Sequence, residues 1–131
     1  MKKVVTSGKR KTALAKATLQ PGVGMVRING HLLEGYEPKL YKLKLQEPLI
    51  IAGDISSGVN INVTVEGGGI VSQTEACRLA IARALVAVDK KLQKQFLEYD
   101  RTLLVADVRR KETHKPNCHG KARAKRQKSY R

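Results

Sequence analysis

Val59, Ile61, Val63 and Val65 alternate strictly with Asn60, Asn62, Thr64 and Glu66. A period of two over eight residues predicts a strand with one buried and one solvated face. Gly67-Gly68-Gly69 breaks that strand, and Ser72-x-x-Glu75 has the spacing of a capping box. A helix is expected from there to about Val88, because Cys77, Ala80, Ile81, Ala84, Leu85 and Val88 recur every three or four positions. Leu92, Phe96 and Tyr99 continue the helical period after a bend near Asp89.

Earlier in the chain, residues 11–20 read as a strand with Leu14 and Leu19 among small residues. The turn signal Pro21-Gly22-Val23-Gly24 leads into a second strand ending at Asn29-Gly30. The two strands are expected to form an antiparallel hairpin. Residues 31–36 suggest a short helical turn. A further helix follows Pro38, with Leu40, Leu43 and Leu45 as its apolar face and Pro48 as its end. Residues 102–108 read as a fourth strand. From Arg109 onward there are ten bases, one acid and no aliphatic residue larger than Ala, so this segment has no core of its own and is expected to be disordered when alone. The resulting division is a globular α+β domain over residues 1–108 and a basic tail over 109–131.

The chain has 131 residues, which suits one domain plus a tail, and with 4% aromatics its core must be aliphatic. No apolar run approaches the roughly 18 residues that cross a bilayer. The first residues lack the sustained apolar stretch of a secretory leader, and two cysteines make no disulfide framework, so a reducing compartment is expected. The formal net charge is +15, and its placement changes the picture. Residues 1–20 carry +6, residues 21–100 carry none, and residues 101–131 carry +9. A neutral domain with charge confined to its ends reads as a footprint for a polyanion, because like charges at that density repel unless a partner neutralises them.

The chemistry available narrows the partner. The glycine run before a helix lacks the Walker pattern and G-x-G-x-x-G, and Gly22-x-Gly24 joins two strands, so no nucleotide site is expected. Gly67–Gly69 fits a tight turn or the close approach of an RNA backbone. His114, Cys118 and His119 supply three ligands where structural zinc wants four, and Cys77 sits on a core-facing helix, so no metal or other cofactor is expected. Carboxylates are scattered and no nucleophile lies near a base, so catalysis is not expected. The tail has no apolar stripe for a membrane and only Tyr130 for stacking on bases. Its contacts should go to phosphates, which position a protein without reading sequence. Fully extended, the 23 residues from Arg109 would reach about 75 Å.

Gly8-Lys9-Arg10-Lys11-Thr12-Ala13-Leu14-Ala15-Lys16, Pro21-Gly22-Val23-Gly24 and Arg27-Ile28-Asn29-Gly30 together resemble the start of the ninth small-subunit ribosomal protein family. Gly67-Gly68-Gly69-x-x-x-Gln73, Arg78 and Ile81-Ala82-Arg83-Ala84-Leu85 resemble its centre. The stretch from Asp100 to Arg110 and the ending Gln127-Lys128-Ser129-Tyr130-Arg131 resemble its archaeal and eukaryotic branch. Val108, where that branch often has Pro, and residues 114–119 depart from the pattern.

The resemblance implies a four-stranded mixed sheet with helices packed on one face, and a long basic C-terminal tail extended on RNA. It implies a structural place in the head of the small ribosomal subunit, in the cytoplasm, among neighbouring head proteins. Lys9, Arg10, Lys11, Arg109, Arg110, Lys121, Arg123, Lys125 and Arg126 would hold small-subunit ribosomal RNA. Lys128, Ser129, Tyr130 and Arg131 would reach the anticodon stem-loop of the peptidyl-site tRNA. The residues alone leave two rivals, a free-standing basic nucleic-acid chaperone and an RNA-processing enzyme; fold does not give function.

Overall fold

A computed structural model describes residues 3–123 and 129–131. Five strands form one mixed sheet: β1 (Val4–Arg10), β2 (Ala13–Pro21), β3 (Val26–Ile28), β4 (His31–Leu32) and β5 (Val59–Glu66), in the order β1-β2-β5-β3-β4. The helices are α1 (Lys39–Ala52), the short α2 (Asp54–Ser57), α3 (Ile70–Val88) and α4 (Leu92–Tyr99). No helix among the described residues is long and apolar enough to cross a membrane.

β5 is the strand with the strict alternation, and Val59, Ile61, Val63 and Val65 are all buried. It enters between β2 and β3, pairing antiparallel with the first and parallel with the second. The expected hairpin of β2 and β3 is therefore split. Asn amides make this possible at both ends of β5. The Asn60 side-chain oxygen accepts the backbone N–H groups of Val23 and Met25, each at 3.0 Å, and ties the connecting loop to the incoming strand. Asn29 bonds both the N–H and the C=O of Val65, at 2.8 and 3.1 Å, extending the β3 ladder past its last residue.

The sheet has five strands instead of four, and the membership differs. Residues 102–108 do not form a strand. They begin in a 3₁₀ turn (Arg101–Leu103), and Arg83 bridges Leu104 to β1 with its guanidinium, donating to the carbonyls of Leu104 (3.1 Å) and Ser7 (2.9 Å). A side chain stands where a ladder would run. β1 carries little apolar alternation because its inward positions include Thr6 and Gly8, which are accommodated by a hydrogen bond and by small size. The segment expected as a helical turn is divided into β4 and a 3₁₀ turn (Leu33–Gly35).

The core lies between the sheet and α3. Ala13, Ala15 and Ala17 of β2 face a helix whose own contacts include Ala76, Ala80 and Ala84. Gly8 is required there: a Cβ at this position would stand 2.1 Å from the Ala76 carbonyl oxygen. The Thr6 hydroxyl donates to the Ala80 carbonyl at 2.8 Å, which fixes the helix against the strand.

α3 starts at Ile70, not after the expected box. Ser72 lies inside the helix and Glu75 is drawn away by Arg10, while Gln73 reaches back to the Gly67 carbonyl at 3.1 Å. α1 runs through Pro48 to Ala52. The proline removes one helical N–H, at a cost of about 3 kcal/mol, which its full burial helps offset. The buried stripe of α1 is Leu45, Pro48 and Ala52, whereas Leu40 and Leu43 face solvent.

Gly8→Ala should destabilise the domain by about 3 kcal/mol, the upper end for overpacking, because the new methyl meets backbone that cannot rotate away. Urea denaturation checks this; a loss under about 1 kcal/mol would mean α3 can lift from the sheet at little cost.

Candidate nucleic-acid interface

The basic residues fall into two groups, those paired inside the protein and those left facing solvent. Arg10, at the end of β1, belongs to the first. Its guanidinium contacts Glu75 on α3 and Asp107 at the root of the tail, each at 2.6 Å, and its side chain is only 17% exposed. Asp107 also accepts the Arg109 side chain and N–H, and these bonds, joined by the Arg10 charge, hold its carboxyl well below the ordinary aspartate range.

Two further arginines of α3 fasten the same segment. Arg78 pairs with Glu47 of α1 and with Asp100 at 3.1 Å. Burial alone would raise the Asp100 carboxyl, but Thr102 and Arg78 outweigh it and leave the group below its usual value. Arg83 makes the bridge already described. A small cavity of about 140 Å³ lies among these groups, lined by Lys9, Arg10, Glu75, Arg78 and Asp107. Its arginines have carboxylate partners, so it reads as a brace for residues 100–109.

Among the expected RNA contacts, Lys9, Lys11, Arg110, Lys121 and Arg123 are exposed, as is Arg109 beyond its pairing with Asp107. Lys11 stands in the β1–β2 turn with φ +51°, and the next residues, Thr12 and Ala13, pack against the Gly67-Gly68 turn, whose glycines have φ of +73° and +67°. A Cβ on Gly67 would approach the Thr12 carbonyl to 2.7 Å, so this run is a tight turn packed on the protein's own backbone. Among the described members of the set, Arg10 alone pairs with carboxylates of two separate elements, Glu75 and Asp107. Lys125, Arg126 and Lys128 lie outside the described residues. Ser129, Tyr130 and Arg131 are exposed.

The sheet adds cations that the reading of the ends passed over. Lys16 and Arg27 project from the face that α3 leaves uncovered, among Ser7, Asn62 and Thr64. The alternation of β2 was the signal for Lys16, since Ala13, Ala15 and Ala17 point inward. Together with Lys9, which lies across from Leu14 on the same face, they extend the basic surface beyond the β1–β2 turn.

The tail is not extended along its whole described length. Residues 112–123 double back: the Lys115 N–H donates to the Lys121 carbonyl at 2.8 Å, and Arg123 grips Glu112. Among the described residues no group of three His, Cys, Asp or Glu side chains could hold a metal; His114 and His119 are exposed. Cys77 is buried, and burial pushes its thiol up to about 12, which suits a small core residue and not a nucleophile.

The family model described as ribosomal protein S9/S16 matches residues 8–131. The chain is 54% identical to the small ribosomal subunit protein uS9 of Methanococcus maripaludis (strain C7), over all of both chains. It is 52% identical, again over all of both chains, to the protein of the same name from Methanococcus vannielii.

The brace has a consequence for acid stability. Asp100 has a lower pKa folded than unfolded, so its stabilisation is present above the unfolded value of about 3.9 and is lost as pH falls through the folded one. Asp100→Asn should therefore lower Tm at neutral pH and show a shallower fall than the parent between about pH 5 and pH 3. Thermal melts across that range test it; identical slopes would remove Asp100 from the brace.

Proposed function

Because the chain belongs to the ribosomal protein S9/S16 family, we propose that it is a structural component of the small ribosomal subunit that binds ribosomal RNA through its two basic ends. The observation that carries this is full-length similarity to proteins named for that subunit, in a chain whose +15 net charge lies at its termini. The role is electrostatic and positional, and the protein catalyses no reaction. It acts in the ribosome, in the cytoplasm, beside other proteins of the subunit head.

Lys9, Lys11, Arg109, Arg110 and Lys121, with Lys125 and Arg126, supply the phosphate contacts, while Arg123, bonded to Glu112, serves them by shaping the tail. Arg10 serves them indirectly: through Asp107 it sets where the tail leaves the domain. The internal brace at residues 100–109 gives the tail a fixed root, so RNA has less chain to order on binding. The last residues, Lys128, Ser129, Tyr130 and Arg131, reach the anticodon stem-loop of the peptidyl-site tRNA, with Arg131 as the phosphate contact. Arginine suits that task because its planar fork donates two parallel bonds to phosphate oxygens.

Deleting Ser129, Tyr130 and Arg131 should leave subunit assembly intact and weaken peptidyl-site tRNA binding, as measured by filter binding on purified subunits. Unchanged tRNA affinity would defeat the tail-tip reading. For RNA binding by the free chain, neutralising about 10 phosphates gives a log K against log salt slope near −7 on single strands. A nearly flat response would contradict a phosphate-dominated interface.

A further inference from the structure

Glu112 is the one acid among the ten bases from Arg109 to Arg131. In a tail whose task is to bind polyanions, an acid subtracts attraction. Its geometry shows what it does instead. Arg123 donates to both Glu112 carboxylate oxygens, Nε to Oε2 at 2.7 Å and Nη2 to Oε1 at 3.2 Å. Lys115 adds a third contact, to Oε1 at 3.4 Å. These pairs draw Glu112 below its ordinary carboxyl range, Arg123 foremost.

The staple closes a loop with internal order of its own. The Lys115 N–H to Lys121 carbonyl bond, 2.8 Å, lies within it. Asn117 takes φ +62° at the tip, a conformation in which Asn is enriched. The Cys118 thiol sits 3.8 Å from the Ala122 carbonyl oxygen. Lys111, just before the loop, and Lys121, near its end, are both exposed, and Lys111 holds Lys121 below its ordinary ammonium range. Exposed ammonium groups at the neck of a closed loop attract an anion from solvent.

We infer that Glu112 staples residues 112–123 into a preformed loop that presents Lys111 and Lys121, at its neck, to the phosphates of an RNA backbone. The inference rests on the RNA-binding reading of the tail and adds a positioning residue to it. Preformation matters because an open chain must pay loop-closure entropy on binding, whereas the stapled loop has already lost it.

The sign of one substitution decides between a staple and a mere negative charge. Glu112→Gln raises the net charge by one, so electrostatics alone predicts tighter binding of an oligouridylate at fixed salt. The staple predicts the opposite, a loss of about ten-fold or more, with about 40-fold as the full closure entropy of a loop spanning residues 112–123. Glu98→Gln on α4, where Glu98 is 67% exposed, is the control for charge and should bind slightly more tightly than the parent. The exchange Glu112→Arg with Arg123→Glu keeps the net charge and should recover most of the loss. Hydrogen exchange of the Lys115 amide in the free chain should be slowed in the parent and fast in Glu112→Gln. Binding by Glu112→Gln as tight as by Glu98→Gln, or an unprotected Lys115 amide in the parent, would overturn the staple and leave RNA binding standing. Parent protein that binds oligouridylate without salt dependence would overturn both.

Discussion

The close seat of α3 on β1 and β2 is the constraint on which the other features rest. Gly8 and the alanines of β2 let the helix backbone approach until a single methyl at residue 8 would strike the Ala76 carbonyl. That approach does more than fill the core. It puts Glu75 within reach of Arg10 across the end of β1, and it places Arg83 so that one guanidinium spans Ser7 and Leu104. A bulkier interface would hold the helix farther off and separate these partners. Tail placement is thus an outcome of small-residue packing in the core.

From that geometry follows a division of labour among the cations. Arg10, Arg78 and Arg83 bond to carboxylates and carbonyls inside the protein, and the acids they use, Glu47, Glu75, Asp100 and Asp107, come from three separate stretches of chain. Lys9, Lys11, Lys16 and Arg27, with Arg110 and Lys121 of the tail, remain exposed for a partner. Most surface ion pairs add little stability. Here several share partners and converge on one segment, and their effect is to fix where residues 100–109 run. Closure of residues 112–123 also shortens the tail. The 11 residues outside that span could extend about 35 Å, roughly half the reach of the open chain.

Much of this was legible in the chain, and the failures have physical causes. The alternation of β5 and the apolar face of α3 were plain because burial of large side chains wrote them. β1 was missed because its inward residues are buried by smallness and hydrogen bonding. Residues 102–108 look like a strand in composition, but Arg83 bonds the carbonyls that a neighbouring strand would need. The hairpin was natural from a turn signal between two strands; nothing local announces that β5, some 30 residues later, will enter between them, apart from Asn60. At the interface, composition located the basic ends but could not tell Arg10, braced on two carboxylates, from Lys9 and Lys11 beside it. Nor could it show that the solitary acid of the tail closes a loop.

The central claim is that the two basic ends make this chain an integral part of a large RNA assembly and not a loose binder of nucleic acid. Sedimentation of the tagged full-length protein from lysate, through a gradient at high salt, tests it most directly. The account predicts that the protein travels with the small ribosomal subunit under salt that strips weakly held basic proteins. Recovery near the top of the gradient, as free protein, would contradict it.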